Sequence, residues 1–509
     1  MGKIEKNATS LSSSRQRKTF QQMQAELHSH GLKRSLGRFQ LTMLGIGSIV
    51  GAGIYVMTGM AASVYAGPAI LVSFVVAGLA CLFTAFSYGE LASVMPVSGS
   101  AYSYAYLSLG EVFAWGVGWL LLLEYGISDA SVAAGFSGYL TSFLQDIGIT
   151  MPQALVTPTL GTTADGALVG HMSIDLLGAG AIGLVTFCLL LGVSENATIN
   201  AIIVVIKILV LLVFVGLGVF YVHKANFTPF IPPATDGFHY GYSGIFRAAS
   251  IIFFAYVGFE AVSTASSEAR NPARDVPFGI IVSLLVCTLI YMATAAVMVG
   301  VVPYRELNVA DPLAIAVNHM QMPWLGSILK LAAVTGLFSV MLVLLFGQTR
   351  IFYAMSYDGL LPAAFSKLHP RFATPWTGTL VIGVVVALAT AFLPLDIISD
   401  LVSLGTATAF GVVCFTVIWQ RNVHPELERP FKVPLGAIRI KNIWLGITPC
   451  LGIFFCLVMA GPLLIDMVLA FFRGNPVPLL LLLAYLLIGI LAYICYGRKH
   501  SRLSKHYNQ

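Results

Sequence analysis

Two apolar segments contain glycines at positions where glycine disfavours an uninterrupted membrane helix. The segment Leu44–Tyr55 contains four glycines, and two of them, Gly51 and Gly53, flank Ala52. The segment Phe253–Glu260 holds one glycine and an acid deep in an apolar stretch. Each glycine disfavours a helix by about 1 kcal/mol relative to alanine. Both segments are therefore candidate helix breaks, although close helix packing through small residues also explains the glycines of the first.

A pair of such breaks has a definite binding chemistry. A half-helix that begins near Gly53 presents free N–H groups and the positive end of its dipole to an anion. Unwound carbonyl groups near Phe254, Ala255 and Val257 accept hydrogen bonds from an ammonium group. If the two segments occupy equivalent places in two halves of the chain, they point to a ligand site at the midplane of the membrane. The residues therefore predict a site for an α-amino acid.

Three ionisable residues fall inside apolar stretches, where a charge is costly and usually functional. Lys207 lies about ten residues into its stretch, and so about 15 Å deep. It could alternate between charged and neutral forms in a proton relay, or it could be a permanent cation that bridges helices. Glu260 could pair with Lys207 or relay its proton, and Glu124 could join the same network. A protonated, hydrogen-bonded core acid is the alternative for both glutamates.

Asp129 is a fourth ionisable residue in an apolar stretch. It follows Glu124 by five residues, which places it about 140° around the helix, so the two acids do not share a face. Asp129 could attract a cationic side chain, but we expect it to meet water in an outer vestibule. Glu90, at the end of another apolar run, is expected to be a gate or cap residue and not a ligand.

The composition agrees with a membrane location for these residues. Of 509 residues, 57% are hydrophobic and 10% are charged, with a mean hydropathy of +0.86. These values exclude a soluble domain, a disordered chain and a coiled coil. We count about twelve apolar segments long enough to cross a bilayer, of which the first covers Phe39–Tyr65 and the eleventh Ile443–Phe471. The seven cysteines lie in apolar runs without metal-ligand spacing, so we predict no metal site or disulfide framework.

Lysine and arginine are distributed unevenly over the predicted loops. With both termini in the cytoplasm, 22 of the 28 face that side and five face the other. The excess of lysine and arginine on one side therefore indicates the orientation of the chain in the membrane, and it does not indicate nucleic-acid binding. The polar residues 1–38 read as a cytosolic tail without a signal peptide.

Four motifs, in order along the chain, are typical of one family. They are Gly47–Tyr55, Tyr88–Tyr102, Ala255–Thr264 with its continuation through Glu268–Pro272, and Gly347–Pro362. The chain resembles amino acid permeases of the amino acid–polyamine–organocation superfamily, and the last two motifs resemble its cationic amino acid transporter branch. Animal members of that branch have about fourteen spans, so this chain is more similar to the shorter bacterial relatives.

The resemblance implies an all-α membrane fold of the leucine-transporter type. Two inverted five-helix repeats would cover residues 39–222 and 223–420, with helices 1 and 6 interrupted. Two further helices would follow in residues 421–497, before a cytosolic tail at 498–509. The resemblance also assigns substrate carboxylate contacts to Ile49, Ala52 and Gly53, and amine contacts to Phe254, Ala255 and Val257. Lys207 matches a lysine that replaces the sodium ion of sodium-coupled relatives.

We therefore expect a secondary amino acid transporter that works by alternating access in the cell membrane. Proton coupling through Lys207, Glu260 and Glu124 is the favoured mechanism, with no cofactor and no sodium. The expected substrates are cationic or small neutral L-amino acids, and Ser339 could leave room for a long side chain. The alternatives are a neutral amino acid carrier or exchanger without proton coupling, and a non-transporting amino acid sensor. We find no motif of an enzyme. A small single-span accessory subunit is a further possible partner.

Overall fold

The part of the chain that the structure describes is mostly helical. The computed structural model describes residues 36–97, 99–162, 168–192, 197–235, 237–372 and 374–502. The predicted tail residues 1–35 and 503–509 lie outside these ranges. In chain order, helices α1 to α16 are Arg38–Ile49, Ile70–Val94, Ser100–Ser108, Glu111–Leu121, Ser128–Asp146, Leu176–Leu190, Ala197–Gly218, Gly241–Phe253, Ala261–Thr264, Pro272–Val301, Pro312–His319, Pro323–Tyr357, Trp376–Phe392, Leu395–Val423, Ile447–Phe472 and Val477–Ala492.

Within the described residues, nine helical segments are long and apolar enough to cross a membrane. The first of them runs from Arg38 to Val94 and turns at Gly67–Ala69. Helices α6 and α13 are apolar but shorter. The protein is therefore a multi-pass membrane protein.

Two small β-hairpins interrupt the predicted all-α fold. Strands β1, Leu160–Thr162, and β2, Leu168–Gly170, form the first. Strands β3, Ala437–Ile440, and β4, Ile443–Gly446, form the second, with Ile440 opposite Ile443. The prediction that the eleventh span begins at Ile443 is thus wrong, because these apolar residues pair as a strand and α15 begins only at Ile447.

Burial separates the helices into an interior and a periphery. In the Gly241–Thr264 segment, which contains α8 and α9, 94% of the apolar stretch is buried inside the protein, compared with 11% of the apolar stretch in Val477–His500. The apolar residues of the last segment therefore face lipid, whereas α8 and α9 are enclosed by protein. Helix α8 packs against α2 and α15, and α9 packs against α1, α10 and α12.

The first interrupted helix leaves helical geometry directly after α1. Val50 has a ψ of 87°, and regular turns resume only from Ala52. Wide, π-type turns then follow over Gly53–Met57. We call Val50–Gly51 the first break. It includes Gly51, one of the two glycines flanking Ala52 that predicted it, and begins one residue earlier.

The second interrupted helix is opened by one glycine. Helix α8 ends at Phe253, a tight turn covers Phe254–Tyr256, and Val257 is extended with a ψ of 134°. Gly258 has a φ of +114°, a left-handed conformation that side chains disfavour. We call Val257–Gly258 the second break. Both helices predicted to be interrupted are interrupted.

Candidate functional site

A cavity lies between the two breaks. Its lining includes the six residues predicted to contact a substrate, which are Ile49, Ala52, Gly53, Phe254, Ala255 and Val257. The cavity is narrow in this conformation, with open room for about one water molecule.

The two broken helices touch each other beside this cavity. A Cβ atom added at Gly53 would lie 2.2 Å from the Cβ of Ala255 and 2.3 Å from its Cα. A Cβ added at Gly258 would lie 2.8 Å from the carbonyl carbon of Ser48. Both glycines therefore permit backbone approaches that a side chain would prevent.

Peptide groups at the breaks are available for a ligand. A helix that restarts at Ala52 leaves its first N–H groups without intrahelical acceptors, and the Tyr55 amide is the first described to bond back, to Gly51. The last turn of α8 likewise leaves carbonyl groups without intrahelical donors. The cavity thus offers N–H donors on one wall and carbonyl acceptors on the other.

Lys207 of α7 holds the first break from the side. Its ammonium group donates to the carbonyl oxygens of Gly47 at 3.0 Å and Val50 at 3.1 Å, and to that of Gly336 in α12 at 3.5 Å. Only 1% of Lys207 is exposed. The lysine therefore bridges three helices beside the site, a geometry compatible with both roles predicted for it.

Tyr291 of α10 supports the same break, and the sequence analysis missed it. Its hydroxyl donates to the carbonyl oxygen of Ile49 at 2.7 Å. A tyrosine in an otherwise apolar helix has a polar hydroxyl that needs a partner. This hydroxyl could have indicated a buried hydrogen-bond acceptor.

Glu124 and Glu260 are brought together, and both are fully buried. The carboxyl groups face each other, and the Tyr125 hydroxyl faces the same group. Glu260 accepts the Gly258 amide at 3.0 Å on each oxygen. The bonds described for Lys207 go to carbonyl groups, and no ion pair among the described residues includes either glutamate. Two adjoining buried acids are expected to hold a proton, because two carboxylates side by side in a low dielectric repel each other.

Two predictions about the surroundings are wrong. Asp129 does not meet an outer vestibule, because its helix face packs inside the protein and none of the residue is exposed. Ser339 does not line the cavity, because its hydroxyl donates to the Asn200 side chain at 3.3 Å. Of the predicted stretch Gly336–Leu342, Val340 lines the cavity.

Four side chains of the lining belong to α5 and α12, and only Val340 among them lies in a stretch that the sequence predicted to contribute. Ser128 and Val132 are one turn apart on α5, and Val340 and Leu344 are one turn apart on α12. Spacing by four residues places each pair on one helix face, but many pairs in these helices share that spacing.

Comparison with known proteins places this architecture in a family. Residues 36–493 match the amino acid permease family. The chain belongs to this family. The permease is therefore a membrane transporter of amino acids and not an enzyme.

Several characterised proteins resemble the permease over most of their length. The branched-chain amino acid permease BcaP of Bacillus subtilis (strain 168) is 43% identical over 93% of this chain and 95% of its own. The methylthioribose transporter of the same strain is 39% identical over 97% of this chain and 100% of its own. The vacuolar cationic amino acid transporter 4 of Arabidopsis thaliana is 37% identical over 78% of this chain and 65% of its own.

Proposed function

We propose that the protein is a proton-coupled secondary transporter of neutral, branched aliphatic L-amino acids. The observation that carries the proposal is the cavity between the first and second breaks, with N–H donors on one wall and carbonyl acceptors on the other. This arrangement suits the carboxylate and the ammonium group that every α-amino acid carries.

The remaining lining of the cavity indicates the side chain. Val132, Val340, Leu344 and Phe254 are apolar, and Ser128 is small and uncharged. A guanidinium or an ammonium side chain would lack a counter-charge there, and an unpaired buried charge is strongly unfavourable. The lining therefore favours a branched aliphatic side chain over the cationic substrates that the motifs suggested. The name of the BcaP relative supports the same choice.

The coupling ion is proposed to be a proton. The Lys207 ammonium group already binds two carbonyl oxygens at the first break, so a sodium ion is not needed to satisfy them. The Glu124–Glu260 pair can hold one proton on one of its two carboxyl groups in the closed site. Release of that proton would leave two adjoining carboxylates in a low dielectric, which is unfavourable until water enters. Proton release is thereby tied to opening of the site.

We further propose twelve spans in a five-plus-five arrangement. The turn at Gly67–Ala69 divides the first apolar segment into two spans, so the nine described segments become ten. The short apolar helices α6 and α13 bring the number to twelve. The two interrupted helices then stand first and sixth. The proposed location is the cell membrane, with both termini in the cytoplasm, as the lysine and arginine distribution favours.

Uptake by proteoliposomes tests this function. Purified protein is reconstituted with the interior alkaline, and uptake of labelled leucine, isoleucine, valine, alanine and arginine is measured with and without the pH gradient. We expect the gradient to drive accumulation of the three branched substrates, with arginine transported least. Accumulation that collapses with a protonophore, and not with removal of sodium, identifies the coupling ion.

Two other results would redirect the assignment. Preferential uptake of arginine would restore the cationic substrate class. Binding of leucine without flux in either direction would identify a sensor. Methylthioribose belongs in the panel because a relative transports it, and its preference over leucine would contradict an amino acid site.

A further inference from the structure

A group of buried hydroxyls connects the Glu124–Glu260 pair with one end of the molecule, and neither the cavity nor the helix breaks require it. The group consists of Tyr125, Tyr88, Tyr104, Ser263 and Ser100, none of which is exposed. Their positions come from four separate parts of the chain, namely the turn between α4 and α5, then α2, α3 and α9. The hydroxyls therefore meet through the tertiary fold and not through local sequence.

The contacts follow one direction. The Tyr125 hydroxyl faces Glu260, and Tyr88 lies near both glutamates. The rings of Tyr88 and Tyr104 lie 6.3 Å apart between centroids, at 68°.

The Tyr104 hydroxyl faces Ser263, and the hydroxyls of Ser263 and Ser100 are hydrogen-bonded at 2.7 Å. From the glutamates outward, the order is thus Tyr125 and Tyr88, then Tyr104, and then the serine pair.

The far end of this series lies toward the surface that carries the start of the described chain. Helix α9, which holds Ser263, leads to Glu268, whose carbonyl oxygen accepts the Leu36 amide at 3.0 Å. Ser266 in the same stretch donates to the Val97 carbonyl oxygen at 3.0 Å, and Val97 is half-buried. In the orientation proposed above, this surface is cytoplasmic.

The hydroxyls of Tyr88, Tyr104 and Tyr125 have no hydrogen-bond partner within bonding distance among the described residues, and the same is true of both Glu124 oxygens. An unpaired buried hydroxyl costs about 1 to 3 kcal/mol. Three such groups, two of them beside one acid pair and the third next to them, are unusual in a folded interior. A hydroxyl both donates and accepts, so it can take a proton on its oxygen while it passes its own proton onward.

We propose that Tyr125, Tyr88, Tyr104 and the Ser263–Ser100 pair form the route by which the coupling proton leaves the Glu124–Glu260 pair toward the cytoplasm. Water molecules complete the gaps between the hydroxyls when the site opens on that side. The inference rests on the proton coupling proposed above.

The proton balance of this route is simple. The glutamate pair loses one proton to the nearest hydroxyl or water oxygen, each hydroxyl passes on its own proton, and one proton emerges beyond Ser100. Glu260 is left as a carboxylate that accepts the Gly258 amide. The titratable groups that face Glu260 are Glu124, Tyr125, Tyr88 and, more distantly, Cys81 of α2.

The direct Ser263–Ser100 bond closes the outer end of the route in this conformation. Both hydroxyls are buried and bonded to each other, so neither meets bulk water. Separation of α9 from α3 would break this bond and admit water. The same motion that opens the site would therefore open the proton route.

Tyr104→Phe and Tyr88→Phe test the proposal, since each removes one hydroxyl and keeps the ring. Tyr485→Phe is the matched control, because Tyr485 of the peripheral helix α16 donates to the carbonyl oxygen of Trp119 in α4, and its described contacts include neither glutamate. Two processes are compared in proteoliposomes that contain a pH-sensitive dye. One is leucine uptake with proton influx driven by a pH gradient, and the other is exchange of internal for external leucine at equal pH.

Exchange returns a loaded, protonated carrier and needs no proton release. We therefore expect both tyrosine variants to slow gradient-driven uptake and dye response by about tenfold or more, while exchange stays within about twofold of the wild type. Tyr485→Phe should leave both processes unchanged.

Equal loss of uptake and exchange would assign a structural role to the tyrosines and overturn the proposal. Unchanged gradient-driven uptake in both variants would overturn it as well. A wild-type protein that takes up leucine without proton influx would instead refute proton coupling itself, and the relay with it.

Discussion

The ammonium group of Lys207 lies 3.0 Å from the carbonyl oxygen of Gly47, on the last complete turn before the first break. This carbonyl has no intrahelical donor because the helix stops at Ile49. The lysine thus supplies the hydrogen bond that continuation of the helix would have made. The geometry of the first break therefore depends on a charged group that can lose a proton.

Lys207→Met should abolish gradient-driven leucine accumulation and weaken leucine binding. Methionine keeps much of the length of the side chain but leaves the carbonyl groups of Gly47 and Val50 buried and unsatisfied, at about 1 to 3 kcal/mol each. That loss corresponds to a binding constant reduced by about tenfold or more. Calorimetric titration with leucine and proteoliposome uptake measure the two effects.

Lys330→Met is the control for this substitution. Lys330 is 3% exposed and pairs with Asp146 at 2.7 Å, near the end of α5 and away from the cavity. We expect lower thermal stability and unchanged leucine affinity. A Lys207→Met protein that still concentrates leucine, with the wild-type pH dependence, would disprove the coupling role of Lys207.

Gly53→Ala should eliminate transport. The new methyl group would lie 2.2 Å from the Cβ of Ala255 and 2.3 Å from its Cα, and backbone cannot move aside as a flexible side chain can. The broken helices would be pushed apart and the cavity walls displaced. Leucine binding and uptake should fall below detection while the protein remains in the membrane fraction.

Gly116→Ala serves as the control, because a Cβ at that position meets nothing within 4 Å. Gly116 lies inside α4, where alanine favours the helix by about 1 kcal/mol. Its expected effect is full activity with equal or higher thermal stability. Wild-type uptake in Gly53→Ala would show that the contact with Ala255 is dispensable.

Glu90→Gln should lower the stability of the protein strongly. Glu90 is 1% exposed, forms two hydrogen bonds with Arg421, lies 3.4 Å from Arg429 and accepts the Val433 amide at 2.8 Å. Removal of its charge leaves two guanidinium groups without their shared acid. The loss of one partner from such a buried pair costs about 3 to 5 kcal/mol.

The midpoint of thermal aggregation in detergent measures this effect. Glu426→Gln is the control, since Glu426 is exposed and contacts His424 at 3.1 Å on the surface. Its midpoint should stay near that of the wild type. Equal midpoints for both variants would mean that the Glu90 cluster adds nothing to stability.

Asp175 should give the protein a pH-dependent stability component. It precedes α6, accepts the Gly178 amide and the Ser137 hydroxyl, and burial raises its pKa from 3.8 to about 6. Between these two values the folded protein binds a proton that the unfolded chain has lost, so this component of stability falls as pH rises. Below 3.8 it is constant.

Asp175→Asn keeps the helix cap but removes the ionisation. Thermal midpoints of the wild type and the variant are measured in steps between pH 3.8 and about 6. They should diverge, with the variant becoming more stable relative to the wild type as the pH rises. Parallel curves across this interval would contradict the assignment.

The sequence by itself determined the membrane class, the two broken helices and the residues at their breaks. Apolar runs of sufficient length must cross a bilayer, and local glycines such as Gly258 set the backbone at a break whatever surrounds it. The placement of Lys207 inside an apolar helix also followed from the apolar run around it.

Only the tertiary structure decided which residues meet. The approach of Glu124 to Glu260, the bond from Tyr291 to Ile49 and the burial of Asp129 depend on how separate helices pack, because the rotation of one helix against another is set by the whole interface. The start of α15 was misplaced for the same kind of reason. An apolar Ile443 serves a strand as well as a helix, and its partner in β3 decides between them.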